Sequence, residues 1–185
     1  SYTLTINSGI TTLRIVCSVK YYITTLNADS WNLISIPSNT PVNINDLQVY
    51  CLVCDEWFTW DEAVANGLVM PYVYTWDCTQ YVTVDQLEPG KGYWAAATAP
   101  CNITVTGTPV YYYTASLSAG WNMVGSVYES VSISDPQDDP DGSVQPFAYW
   151  YNPETGSYAY TTTIEPKKGY WVAAIQDCTL SLECS

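Results

Sequence analysis

Seven cysteines, Cys17, Cys51, Cys54, Cys78, Cys101, Cys178 and Cys184, are the most reactive side chains in this 185-residue chain. Cys51-Leu-Val-Cys54 has the spacing of a redox pair or of half a zinc site, but no second such pair follows and no thioredoxin-like helix start stands beside it. Structural disulfides in an exported protein are the better reading. An odd count allows at most three intrachain bridges, leaving one thiol free or joined to another molecule, and spacing alone does not give the connectivity. The chain has no histidine, which excludes Ser-His-Asp and Cys-His mechanisms and every imidazole metal site.

Carboxylates are the remaining chemistry. An Asp/Glu pair can hydrolyse a glycoside without histidine or metal, yet Glu88 and Glu165 each precede a turn proline in matching contexts, which points to a shared structural task. Asp55-Glu56 and Asp61-Glu62 flank a helix start, where acids are favoured. The expectation is therefore a protein that is not an enzyme. Asp135, Asp138, Asp139 and Asp141 gather around Gly142 with the oxygen ligands calcium takes, but without EF-hand spacing, so a solvated acidic loop is preferred and calcium is the one weak cofactor candidate. Asn102-Ile-Thr104 is an N-glycosylation sequon within an expected strand.

Composition narrows the partners. Five basic against 18 acidic residues give a net charge of −13, too few cations to neutralise nucleic acid or to dock on anionic lipid. No apolar run reaches the ~18 residues of a membrane span, and a start at Ser1 is what a cleaved signal peptide would leave. Seventeen Tyr and eight Trp against two Phe favour faces that meet solvent, sugar or other subunits.

What positions these residues is a repeat. Trp31-Asn-Leu-Ile-Ser35 recurs as Trp121-Asn-Met-Val-Gly125 at an offset of 90, and Glu88-Pro-Gly-Lys-Gly-Tyr-Trp94 recurs as Glu165-Pro-Lys-Lys-Gly-Tyr-Trp171 at an offset of 77. The fold class predicted is all-β: two tandem related sandwich- or barrel-like halves from an internal duplication, with one short helix in an insertion of the first half. The expected segments are an N-terminal strand extension at 1–20, a first repeat at 21–107 and a second at 108–185. Period-two patterns rich in Val, Ile, Thr and Tyr predict strands at 2–6, 11–17, 19–25, 32–36, 72–76, 80–84, 92–97, 102–106, 110–116, 122–127, 147–151, 157–162, 169–174 and 179–183. Thr59-Trp-Asp-Glu62 with Gly67 predicts the helix. Trp31, Trp121, Trp94 and Trp171, being duplicated at strand starts, are expected in the core of each half. Trp57, Phe58 and Trp60, which have no counterpart in the second repeat, are free to form the alternative ligand surface, a platform for a flat sugar ring, but core or subunit packing is the preferred use of even these.

The combined motif, Trp-Asn-Leu-Ile-Ser, an aromatic strand such as Tyr149-Trp-Tyr-Asn-Pro-Glu-Thr-Gly-Ser-Tyr158, then Glu-Pro-x-Lys-Gly-Tyr-Trp, resembles β-repeats of archaeal and bacterial cell-surface and secreted proteins. The resemblance spans most of residues 21–183 and implies an extracellular, non-catalytic module without naming a ligand. The seven cysteines, the enlarged first repeat and the N-terminal extension depart from that pattern. In the extension, Tyr2, Leu4 and Ile6 alternate with threonines in an uncharged strand able to complete a neighbour's sheet. The function expected is a structural subunit of an extracellular prokaryotic, by preference archaeal, filament, sheath or surface layer, polymerising through strand edges or donor strands and disulfides. The alternative is a secreted carbohydrate-binding or adhesive module.

Overall fold

The computed structural model describes residues 20–184. The strands expected at 2–6 and 11–17, with Tyr2, Leu4, Ile6 and Cys17, lie outside the described residues.

The described chain is all-β apart from one short α-helix and a 3-10 turn at Ile44–Asp46. The first unit contains β1 (Lys20–Leu26), β2 (Ser30–Ile34), β3 (Val42–Asn43), β4 (Gln48–Cys51), β5 (Glu56–Thr59), α1 (Trp60–Ala65), β6 (Val73–Trp76), β7 (Tyr81–Val84), β8 (Gln86–Leu87), β9 (Tyr93–Ala97) and β10 (Cys101–Gly107). The second contains β11 (Tyr112–Leu117), β12 (Gly120–Val124), β13 (Val131–Ser132), β14 (Gln137–Asp139), β15 (Val144–Asn152), β16 (Ser157–Thr161), β17 (Thr163–Ile164), β18 (Tyr170–Ala174) and β19 (Cys178–Glu183).

The strand order of one unit recurs in the other. Sheet β2-β9-β6-β7 corresponds to β12-β18-β15-β16, ribbon β3-β8 to β13-β17, and β1-β10-β4 to β11-β19-β14. The first unit adds β5 on the outer side of β4 and then α1, where the capping box forms as its residues predict. The Thr59 side chain accepts from the Glu62 N–H, the Glu62 carboxylate accepts from the Thr59 N–H, and Gly67 takes the left-handed conformation past the helix end. The sheets are open; none closes into a barrel.

Each unit has its own apolar core. Leu26, Ile36, Leu47, Leu87, Tyr93 and Ile103 fill the first, and Ile133, Ile164, Tyr170, Leu180 and Leu182 the second. The repeated Trp-Asn step is explained by the asparagine. Asn32 is buried, accepts from the Asn27 N–H at 2.9 Å, and donates to the Asn27 and Ser30 carbonyls, closing the β1–β2 turn. Asn122 treats Ser118 and Gly120 in the same way.

Several expectations are corrected. The strands expected at 32–36 and 122–127 end at Ile34 and Val124, because the next residues leave their sheets to bond the opposite unit. Strands β4, β5 and β14 and the two-residue strands were not expected; their apolar and polar residues do not alternate over a length that declares a period. Trp31 and Trp121 are not core residues: they are 41% and 48% exposed, on the sheet face away from each core. Trp60 is 2% exposed, packed under α1 in the first core, and Phe58 leans on that core, which agrees with the preferred packing role of these aromatics and leaves the alternative ligand surface of Trp57, Phe58 and Trp60 unassembled. Trp57 alone stays exposed, beside the Tyr50 ring.

The structure pairs two of the cysteines left open by spacing. Cys51 and Cys54 form a disulfide with Cα atoms 5.3 Å apart, closing the β4–β5 turn, whereas Cys78, Cys101, Cys178 and Cys184 are free among the described residues. Cys101 and Cys178 cannot bridge each other because each is sealed in a different core. Burial pushes the Cys101 thiol up to about 11, and burial with Asp138 and Asp177 nearby raises Cys178. Since the thiolate is the reactive species, iodoacetamide should modify exposed Cys78 first, and Cys101 and Cys178 only on unfolding. Peptide mapping checks the order; equal rates at Cys78 and Cys101 would refute the burial.

Candidate functional sites: a seam, two aromatic clefts and an open edge

The second recurring block, Glu-Pro-x-Lys-Gly-Tyr-Trp, builds the seam between units. In each copy the tyrosine is buried and its hydroxyl accepts the N–H of the glutamate, Tyr93 from Glu88 at 2.6 Å and Tyr170 from Glu165 at 2.8 Å. In each the lysine pairs with the same glutamate, Lys91 with Glu88 and Lys168 with Glu165. These exposed pairs add little stability; their turn matters more. Each turn crosses to the opposite unit: the Ser35 N–H donates to the Lys167 carbonyl at 2.9 Å, and the Gly125 N–H to the Gly90 carbonyl at 2.8 Å. Single bridges Ile34–Lys168 and Lys91–Val124 repeat the relation. Gly92 and Gly169 meet where the turns cross, each with its missing Cβ position 2.9 Å from a carbonyl of the other unit. Gly90 and Lys167 occupy the same place and share a positive φ, 75° and 70°.

Above the seam lies a third apolar cluster, Leu33, Trp94 and Met123, covered by Tyr74, Trp76, Tyr151 and Trp171. Its rings extend onto the outer faces of sheets β2-β9-β6-β7 and β12-β18-β15-β16 as twin clefts. The first, about 320 Å³, is lined by Trp31, Tyr74, Tyr81, Trp94 and Tyr151. The second, about 580 Å³, is lined by Trp121, Tyr149, Tyr158, Trp171, Trp76 and Tyr81. Strand register makes Tyr74 equivalent to Tyr149, Trp76 to Tyr151 and Tyr81 to Tyr158. The ring geometry repeats accordingly. Trp31–Tyr74 and Trp121–Tyr149 lie 5.8 and 5.9 Å apart, Trp94–Tyr151 and Trp76–Trp171 5.1 and 5.9 Å, and Trp94–Tyr158 and Tyr81–Trp171 6.5 and 6.4 Å. Each cleft thus takes walls from both units, which sequence spacing alone did not reveal.

The third feature is a strand edge. Among the described residues β11 pairs only with β19, leaving its other side open. The Cys184 N–H donates to the Tyr111 carbonyl, so the antiparallel alternation turns the backbone groups of Tyr112, Thr114 and Ser116 outward. Six residues of β11, Tyr-Tyr-Thr-Ala-Ser-Leu, carry neither charge nor proline. The opposite edge of that sheet, β14, is short, carries Asp138 and Asp139 and ends at Pro140, the usual protection against edge pairing. Other edge strands include the uncharged β2, β7, β12 and β16, each shorter than β11, and the seven-residue β1, which begins with Lys20.

The remaining sequence candidates sit apart from these features. The Asp138 carboxylate accepts from the Gly142 and Val144 N–H groups, and among the described residues no three His, Cys, Asp or Glu side chains converge as a metal site would require; Asp135, Asp139 and Asp141 are exposed. Asn102 lies mid-sheet between β1 and β4 and accepts from the Thr25 hydroxyl at 2.8 Å. No helix among the described residues is long and apolar enough to cross a membrane.

Burial raises the hydroxyls of Tyr93, Tyr113 and Tyr170 well above the usual phenol range. A folded pKa above the unfolded value of about 10 means their contribution to stability is complete below pH 10 and is lost as pH climbs past it. Tyrosinate absorbance during alkaline titration should therefore show these three ionising only with unfolding; smooth ionisation of every tyrosine near pH 10 in folded protein would contradict the burial.

These features define a class: an all-β protein of two topologically matched units, locked by reciprocal turns and bearing aromatic faces and an unprotected edge. No family profile, curated protein or solved structure matches the chain.

Proposed function

We propose that the chain is a non-catalytic structural subunit of an extracellular prokaryotic, by preference archaeal, surface assembly, in which copies join by strand addition at β11. We also infer that its two units arose by duplication, given their shared strand order and sequence blocks. The open β11 edge carries the reading: its outward backbone groups are unpaired among the described residues, and no charge or proline blocks a newcomer. The occupant is the N-terminal Tyr2-Thr-Leu-Thr-Ile6 of another copy, likewise uncharged and alternating. Seated beside β11, its Tyr2, Leu4 and Ile6 would extend the row of Tyr113, Ala115 and Leu117 that rests on the second core. Exposed Cys78 is available for an intermolecular bridge, and a disulfide-bearing β protein suits an oxidising exterior.

The test is negative-stain electron microscopy of protein purified without reductant. Filaments, tubes or sheets are expected. Deleting residues 1–8, or introducing Thr114→Pro, should abolish them while leaving the melting temperature nearly unchanged, because the Thr114 N–H faces away from β19 and proline is tolerated there. Dispersed particles from the unaltered chain, or assembly surviving both changes, would refute the reading.

A further inference from the structure

The twin clefts have a ligand chemistry of their own, separate from the strand edge. Every side chain lining either cleft is a Trp or a Tyr. Their ring planes meet at steep angles, 65° for Trp31–Tyr74, 78° for Trp94–Tyr151, 60° for Trp121–Tyr149 and 69° for Trp76–Trp171, so each cleft presents more than one aromatic wall. The volumes, about 320 and 580 Å³, fall at the size of small-molecule sites.

Two physical arguments select the occupant. A sugar ring carries several hydroxyls, and burying each without a partner is costly; apart from tyrosine hydroxyls and indole N–H groups, these walls offer no hydrogen-bonding side chain. A cation wrapped in methyl groups asks for no hydrogen bond, while the negative faces of Trp and Tyr attract its charge. The chain's charge agrees. It carries −13 overall, and no described lysine lines either cleft. Asp77, one residue beyond Trp76, is kept ionised by hydrogen bonds from Thr79 and Gln80. The chain already makes such a contact internally, with the Lys168 ammonium 4.3 Å from the centre of the Trp150 ring.

We propose that the two clefts, Trp31–Tyr74–Trp94–Tyr151 and Trp121–Tyr149–Trp171–Trp76, are pseudo-equivalent sites for a free small solute bearing a quaternary ammonium group. Tyr81 lines both, so the sites are adjacent, and the tighter first cleft is the stronger.

Isothermal titration of the full chain with tetramethylammonium and with choline, read in parallel by tryptophan fluorescence, tests this. Two saturable sites are expected, with the uncharged isostere 3,3-dimethylbutan-1-ol binding about tenfold more weakly for lack of the cation–π attraction. Trp31→Ala should remove the stronger site and Trp121→Ala the weaker; both side chains are largely exposed, so folding survives, as circular dichroism would verify. Equal binding of the neutral isostere, preference for methyl β-glucopyranoside, or binding to phosphatidylcholine vesicles without binding of free choline would each overturn the proposal. So would the absence of saturable binding, or self-association lost in Trp31→Ala and Trp121→Ala, which would make the clefts a contact between copies.

Discussion

Asn32→Leu is expected to destabilise the chain by about 3 kcal/mol, although it replaces one modest side chain by another of similar size. Asn32 serves three backbone groups, the Asn27 N–H and the carbonyls of Asn27 and Ser30, from a site only 4% exposed. Each lost bond costs about 1 kcal/mol net, and more where the abandoned group stays buried. For a chain of this length that is a fall in melting temperature of roughly 6–12 °C. Asn122→Leu should match it, since its three bonds are equivalent. Trp31→Ala, beside Asn32 and much larger, should cost less, because that side chain is 41% exposed. Thermal denaturation of the variants measures the order; Trp31→Ala falling furthest would mean that Trp31 is core after all.

Gly125→Ala is the second large effect. The added Cβ would stand 2.7 Å from the Lys91 carbonyl oxygen and 2.9 Å from both the Gly90 carbonyl carbon and the Lys91 nitrogen. All three are backbone atoms of the opposite unit, with no flexible side chain to yield. Overpacking of this kind costs about 1–3 kcal/mol, and relief by separation sacrifices the bond from the Gly125 N–H to the Gly90 carbonyl. Because the turns holding the units together pass through this point, the expected signature goes beyond a lower midpoint. Urea unfolding of the unaltered chain should be a single transition, and that of Gly125→Ala should broaden or split as the two cores uncouple. An unchanged, single, steep transition would show that the seam does not couple them.

The contrast between these residues shows where sequence reading succeeds. The β-class, the short helix with its capping box and most long strands were legible, because a period of two and a Thr-x-x-Glu step are local patterns that local backbone geometry satisfies. Strands β4 and β5 were missed because Gln-Val-Tyr-Cys and Glu-Trp-Phe-Thr do not alternate apolar with polar residues, whereas β7, equally short, alternates Val with Tyr and Thr. The tryptophans were misplaced for a different reason. Recurrence showed that Trp31 and Trp121 hold equivalent positions, but not which face of their sheets would be covered. Duplicated aromatics at strand starts read as core, and the structure puts the cores on the other side.

The candidate sites were legible only in part. The β11 strand could be foreseen, but that its far side is open depends on which strands pair, a matter of long-range topology. The clefts were not foreseen at all: Trp94 meets Tyr151, and Trp76 meets Trp171, across more than fifty residues and between units. The Glu-Pro-x-Lys-Gly-Tyr-Trp block stood out as a repeat, yet its use as the crossing turn appears only when Gly92 and Gly169 are seen back to back.

By itself, then, the sequence determined composition, charge, the absence of histidine chemistry, the strand-rich class and the matching of two segments, since all of these follow from residue identity and near-neighbour spacing. The tertiary structure alone decided which faces are buried, which cysteines pair, which edge is left open and how two half-sites become clefts. Those outcomes depend on contacts between residues far apart in the chain, whose free energies are settled only when both cores and the seam between them form together.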